Sequence, residues 1–292
     1  MKKVLLAIAI SFAGISVCAQ KADIIMSYDV QYPTKTSTST KKNKMSLIIA
    51  PDKSKYFNDI SLFNDSLSST PDGKKQLQEI IMATCVNQLP NGSIEVDFRK
   101  GPVKKVDLYV FTDRKDNKMT VYDKWALEHG YYTEKLDEQE WSINSDSTQN
   151  ILGYECIMAE SDYHGRHWKA WFAPEIPYPF GPWKLQGLPG IILKAEADGE
   201  FMLTATGIEK TDRVITPIYS PQEYSKTTRL KALSDEDYYQ HNAQSVLQAK
   251  YGGSVTVKST RKNEDGTETP DPQFDGKLHC FDPDYLTSSK TK

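Results

Sequence analysis

Apolar residues recur at every second position through most of this chain, and that period restricts it to a β-sheet with one face covered. Met45, Leu47 and Ile49 alternate with polar neighbours, and Ile94, Val96 and Phe98 do so against Glu95, Asp97 and Arg99. Val106, Leu108 and Val110 oppose Asp107, Tyr109 and Phe111, and Met119 and Val121 continue the pattern. Ile191, Leu193, Ala195 and Ala197 stand against Lys194 and Glu196. Successive strand side chains point to opposite faces, so each set lines a single surface. Short connections at 113–118 and at Asp198-Gly199 predict hairpins, and hence a meander of antiparallel strands.

Two segments break the alternation. Thr70-Pro71-Asp72 offers an N-cap, a proline at the first helical position and an acid at the positive end of the helix dipole. Leu77, Ile80, Ile81 and Thr84 then share a stripe, which predicts a helix over residues 71–86. Ser234-Asp235-Glu236-Asp237 resembles a capping box. It predicts a second helix ending at Gly252, with Tyr239, Ala243, Val246, Leu247 and Lys250 on its inner face. The expected class is α+β, mainly β: a curved, half-barrel-like antiparallel sheet with two helices packed on one side.

The first residues read as an address. Lys2 and Lys3 precede an apolar run from Val4 to Ile15, and Val17-Cys18-Ala19 fits a signal-peptidase site. Cleavage is expected after Ala19, which leaves Gln20 first in an exported, periplasmic or outer-membrane-associated chain. Acylation of Cys18 is the rival reading, but a lipobox favours a smaller residue than Val17. The apolar run is too short to span ~30 Å of hydrocarbon, so no transmembrane segment is expected in the mature chain. Cleavage would remove Lys2 and Lys3 and no acid, so 36 basic residues become 34 against 39 acidic ones, a formal charge of −5. Nothing in that balance suits nucleic acid. No Gly/Ser or Pro-rich linker divides residues 20–292, which are expected to form one domain.

Cys85, Cys156 and Cys280 would remain after cleavage. An oxidising compartment favours one disulfide among them, with three pairings open. No cysteine has metal-site spacing, and His279-Cys280 would point to opposite strand faces, so neither a metal nor a cofactor is expected.

The middle of the chain carries its most specific residues. A strand is expected from Ile151 to Ala159 and another over 165–172, with Arg166, Trp168, Ala170 and Phe172 on one face. Prolines 174, 177 and 179 then force the chain off the ladder. Leu188-Pro189-Gly190-Ile191 fits a type II turn with Gly190 at positive φ, while Gly187 allows close backbone approach. Gly153-Tyr154-Glu155-Cys156, His164-Gly165-Arg166-His167-Trp168, Glu175-Ile176-Pro177, Gly181-Pro182-Trp183 and Gly187-Leu188-Pro189-Gly190-Ile191-Ile192 follow one another in order. In this they resemble the core of the GLPGLI family, over roughly residues 151–210, with Ile191 where leucine is usual. The resemblance implies an exported envelope protein of Gram-negative type and a β-rich fold, and it supplies no catalytic residue.

Function is read from side chains. There is no Gly-x-Ser-x-Gly elbow, His-Glu-x-x-His helix or phosphate loop. No catalytic residue is assigned, although His164 and His167 would serve a hydrolase if a nucleophile and a carboxylate converged on them. Trp168, Trp171, Tyr178, Phe180 and Trp183 fall within 16 positions, beside Arg166 and Lys184. Aromatic rings next to cations suit an amphipathic ligand or an envelope partner. Arg166, Trp168, Trp171, Tyr178, Trp183 and Lys184 are therefore the expected binding residues of a non-catalytic binding or assembly component. The plainer alternative is a structural protein in which these rings pave the sheet.

Overall fold

A computed structural model describes residues 20–35, 37–90, 92–98, 100–104, 106–136, 139–252, 260–262, 268–270 and 280–284. The signal peptide expected at 1–19 and His279 lie outside these residues. The chain opens with β1 (Ile24–Thr34), β2 (Ser37–Ile49) and β3 (Lys53–Phe57), followed by α1 (Asp59–Ser68) and α2 (Pro71–Cys85). A small ribbon of β4 (Val86–Gln88) and β5 (Ile94–Val96) leads to β6 (Tyr109–Asp113), β7 (Lys118–Trp125) and β8 (Glu128–Lys135). Next come β9 (Ser142–Ile151), β10 (Tyr154–Tyr163), β11 (Arg166–Ala173), β12 (Ile191–Ala197) and β13 (Phe201–Lys210). The described elements finish with β14 (Ser225–Lys226), α3 (Arg229–Tyr251) and the pair β15 (Thr260–Lys262) and β16 (Glu268–Pro270).

Twelve strands form one sheet in the order β14-β8-β7-β6-β3-β2-β1-β13-β12-β11-β10-β9. Every pairing in it is antiparallel except the short β14–β8 contact, and the sheet does not close into a barrel. It consists of two meanders, β1-β2-β3-β6-β7-β8 and β9 to β13, joined where β1 pairs with β13, with β14 added at the β8 edge. Three of its hairpins turn through two residues that both have positive φ, Leu152-Gly153, His164-Gly165 and Asp198-Gly199, the backbone that matches strand twist. The first of these corrects the sequence reading, which ran one strand from Ile151 through to Ala159.

The expected alternation holds, but both faces are covered over part of the sheet. Tyr28, Met45, Leu47, Val110, Val121, Trp168, Phe172, Leu193 and Leu203 belong to the main cluster on the inner face. Ile48, Phe57 and Tyr109 pack with Leu62 of α1 on the outer face. The aromatic residues that the sequence assigned to solvent, Tyr109 above all, find this second core. Ile94, Val96 and Phe98 depart further: they sit in or beside the β4–β5 ribbon and remain exposed.

The first predicted helix occurs over Pro71–Cys85, with the Thr70 hydroxyl accepting from the Gly73 N–H. It contacts mainly α1, while α3 packs beside β7 and contributes Ala232 to the inner cluster. The two expected helices thus rest on different supports. The second begins earlier than its capping-box pattern suggested, because Thr228 accepts from the Lys231 N–H and serves as the cap. Its buried residues are Ala232, Leu233 and Glu236, and a non-helical Asn242 breaks it before Gly252 ends it at positive φ.

Candidate functional site

The site is built on the inner face by three pieces of chain that the sheet brings together. The first is the connection from β11 to β12. Its prolines keep it off the ladder, and it folds back on itself: the Gly187 N–H donates to the Pro179 carbonyl and the Ile192 N–H to that of Phe180. Gly187 has φ 93°, whereas Gly190 does not adopt positive φ, so no type II turn forms. Gly190 is needed for space, since a Cβ there would lie 2.3 Å from the Ala173 carbonyl oxygen. The two glycines exchange the roles read from sequence. Trp183 takes φ 57°, a conformation costly for a bulky side chain, and its ring packs tilted against that of Trp168, with centroids 5.5 Å apart.

The second piece, residues 280–284, lies across this connection as a strap. Phe281 packs against Tyr32, Trp183 and Phe201 with ring centroids 5.4, 5.2 and 4.9 Å away, and stacks over Trp168 at 6.3 Å. Arg166 donates to the Cys280 carbonyl oxygen at 3.0 Å while its guanidinium covers the Phe201 ring. Asp282 accepts from the buried Lys184 ammonium at 2.8 Å. Arg229, the first residue of α3, grips Asp284 through two hydrogen bonds of 2.6 and 3.0 Å and also donates to Glu134 at 3.1 Å. Although burial opposes ionisation of Asp284, the hydrogen bonds and charges of His164 and Arg229 hold its carboxyl well below the usual range.

The third piece is α3. Between it, the strap and the strands β1, β2 and β7 lies a cavity of about 460 Å³. Val30, Met45, Tyr56, Val121 and Tyr132 make an apolar floor, while Lys35, Lys41, Asp107, Asp123 and Glu236 provide a charged rim. That size and division of labour are typical of small-molecule sites. Lys35 pairs with Glu236 at 3.2 Å. Burial pushes the Asp123 carboxyl up to about 6; Asp107 and Glu236 add to this and Lys35 opposes it. Burial also raises the Tyr32 phenol, whose oxygen accepts from Asn43 at 2.7 Å.

The expected binding residues divide. Trp183 and Lys184 line the cavity. Trp168 is fully buried behind them, and Arg166 fastens the strap. Trp171 and Tyr178 do not join the site. Lys194 lies over the Trp171 ring at 4.2 Å, and Tyr178 donates to Asp23 at 2.8 Å. Tyr32, Lys35, Asp123, Trp125 and Glu236 were not singled out by sequence; only a cation and two acids beside alternating apolar positions mark them.

His164 and His167 do not converge on a nucleophile. His164 Nδ1 lies 3.5 Å from Asp284, and the exposed His167 lies 2.8 Å from Asp162. His164 lies in the β10–β11 turn itself and His167 on β11, and each meets a different carboxylate. The expected disulfide is also absent: Cys85, Cys156 and Cys280 are free, at the end of α2, within β10 and in the strap. Each has its own surroundings, and burial raises the Cys156 thiol to about 11 and the Cys280 thiol to about 12.

Fold and site together define an open, mainly β protein with a closed-over inner face. Neither a family model nor a curated protein matches the chain. Among solved structures it is similar to PNGF-II in its P21 crystal form, with a TM-score of 0.44 and 16% identity over 73% of this chain and 33% of that one. The C2 form of PNGF-II gives a TM-score of 0.42 at 16% identity, over 72% of this chain and 32% of that one. An outer membrane lipoprotein-sorting protein domain from Vibrio parahaemolyticus gives 0.21 at 9% identity, over 69% of this chain and 88% of that one. The chain spans about a third of the length of PNGF-II. At these scores no site or ligand is carried over.

Proposed function

We propose that this is an exported envelope protein of GLPGLI type that binds an amphipathic ligand in the cavity between the inner face of its sheet and α3. The signal-peptide pattern and the ordered GLPGLI motifs support the address. Among the described residues, no helix is long and apolar enough to cross a membrane. The observation that carries the binding role is the cavity itself, where an apolar floor meets a rim holding both signs of charge. A ligand's apolar body would rest on Met45 and Val121, and its polar end would meet Lys35, Lys41 and Asp123. An open apolar floor is unfavourably exposed to water, and a ligand's apolar body removes that contact.

The test is titration of the mature chain with 1-anilinonaphthalene-8-sulfonate, followed by energy transfer from tryptophan. Saturable one-to-one binding is expected, and Val121→Trp, which fills the floor, should weaken it at least tenfold without unfolding the chain. Binding that Val121→Trp leaves unchanged would remove the cavity from the account.

A further inference from the structure

The strap is bound as a ligand would be bound. It contributes one main-chain carbonyl, one aromatic ring and two carboxylates two residues apart, and each meets a partner on the inner face. Arg166 takes the Cys280 carbonyl, and Trp168, Trp183 and Phe201 box the Phe281 ring. Lys184, with 1% of its side chain exposed, takes Asp282, and Arg229 takes Asp284 by a two-toothed grip. A planar guanidinium gripping a carboxylate with two bonds is among the more selective polar contacts proteins make. The strap comes from far along the chain: Arg166 and Cys280 are 114 positions apart, and Lys184 and Asp282 are 98 apart. No sheet ladder holds it, since residues 280–284 form no strand. Among the described residues, the side chains of Arg166, Trp183, Lys184 and Arg229 hold it to the inner face.

We infer that this face is a peptide-binding groove for an extended segment of the pattern aromatic-Asp-x-Asp, and that Phe281, Asp282 and Asp284 occupy it as an intramolecular competitor. Any displacing partner must bring a ring to Trp183 and an anion to Lys184, because the buried ammonium would otherwise keep only the Glu134 carboxylate at 3.9 Å. An acidic peptide meets both requirements and also supplies the carbonyl that Arg166 needs. The groove adjoins the ligand cavity, of which Phe281 and Asp282 form one wall, but it does not depend on that cavity being used.

The test uses a synthetic peptide of residues 280–284 and the full mature chain. In a Phe281→Ala/Asp282→Asn chain the peptide should bind saturably by calorimetry, at least tenfold more tightly than to wild type, where the tethered strap competes. Adding Lys184→Met should reduce that binding at least tenfold. No saturable binding to the folded double variant, or binding indifferent to Lys184→Met, overturns the proposal. Amide exchange on the wild-type chain gives an answer even if the variants fail to fold. The amides of Phe281, Asp282 and Asp284 should exchange at least a hundredfold faster than those of β11 and β12, through opening of the strap alone. Exchange of strap and strands together, only on global unfolding, overturns it.

Discussion

Lys184 on the inner face and Lys55 on the outer face are both buried among aromatic rings, yet their charges are handled differently. Lys184 lies over Tyr132 and Trp183 and donates to a carboxylate, that of Asp282, at 2.8 Å. Lys55 sits 5.2–5.3 Å from the rings of Phe57, Tyr109 and Phe111, and its hydrogen-bond partners are the neutral carbonyl and hydroxyl oxygens of Thr216. Burial pushes the Lys55 ammonium down to about 7. The inner face spends a distant segment of chain on neutralising its lysine, whereas the outer face leaves its lysine to rings and dipoles. A ring cage stabilises a cation by roughly 1–2 kcal/mol, well short of the several kcal/mol that removing an ammonium from water costs.

Four variants test how the two faces handle buried charge. Asp282→Asn leaves Lys184 only the more distant Glu134 carboxylate, 3.9 Å away, and should lower unfolding stability by about 3 kcal/mol, measured by urea titration. Replacing both partners, as Lys184→Met with Asp282→Leu, should recover most of that loss. Lys55→Met should stabilise the chain by roughly 3 kcal/mol at pH 6 and much less at pH 10. The sign follows from a folded pKa of about 7 lying below the ordinary 10.5. The neutral amine is favoured in the fold, so wild-type stability rises as pH climbs from about 7 to 10.5, and methionine abolishes that slope. Asp123→Asn should have the smallest effect, a gain of roughly 2 kcal/mol at pH 7 in thermal or urea unfolding. Its folded pKa of about 6 lies above the ordinary 3.8, so the wild type loses stability as pH rises between those values, and the variant should not.

The sequence made the sheet legible because period-two alternation is a local signal. It predicted the helix at Pro71–Cys85 because Thr70 and Pro71 announce its start within two positions. The α1 helix escaped it: Asp59–Ser68 carries only a short apolar stripe and an Asn58 cap that reads equally as a turn. Within the candidate site, Trp183 and Lys184 were legible as rings and cations close together in sequence. Phe281 and Asp282 were not, since their partners lie about a hundred positions away and no period links them. Gly187 and Gly190 were recognised as special, but which needed positive φ and which needed space depends on where Ala173 passes, a tertiary fact.

Apolar surface is also exposed elsewhere, at Phe63, Met82, Ile94 and Phe98 around α1, α2 and the β4–β5 ribbon, and a greasy probe could settle there instead. A crystal structure of residues 20–292 with 1-anilinonaphthalene-8-sulfonate separates the two locations directly. The account predicts the probe's rings on Met45 and Val121, between β2, β7 and α3. Density over Ile94 and Phe98, with the cavity holding none, would contradict it.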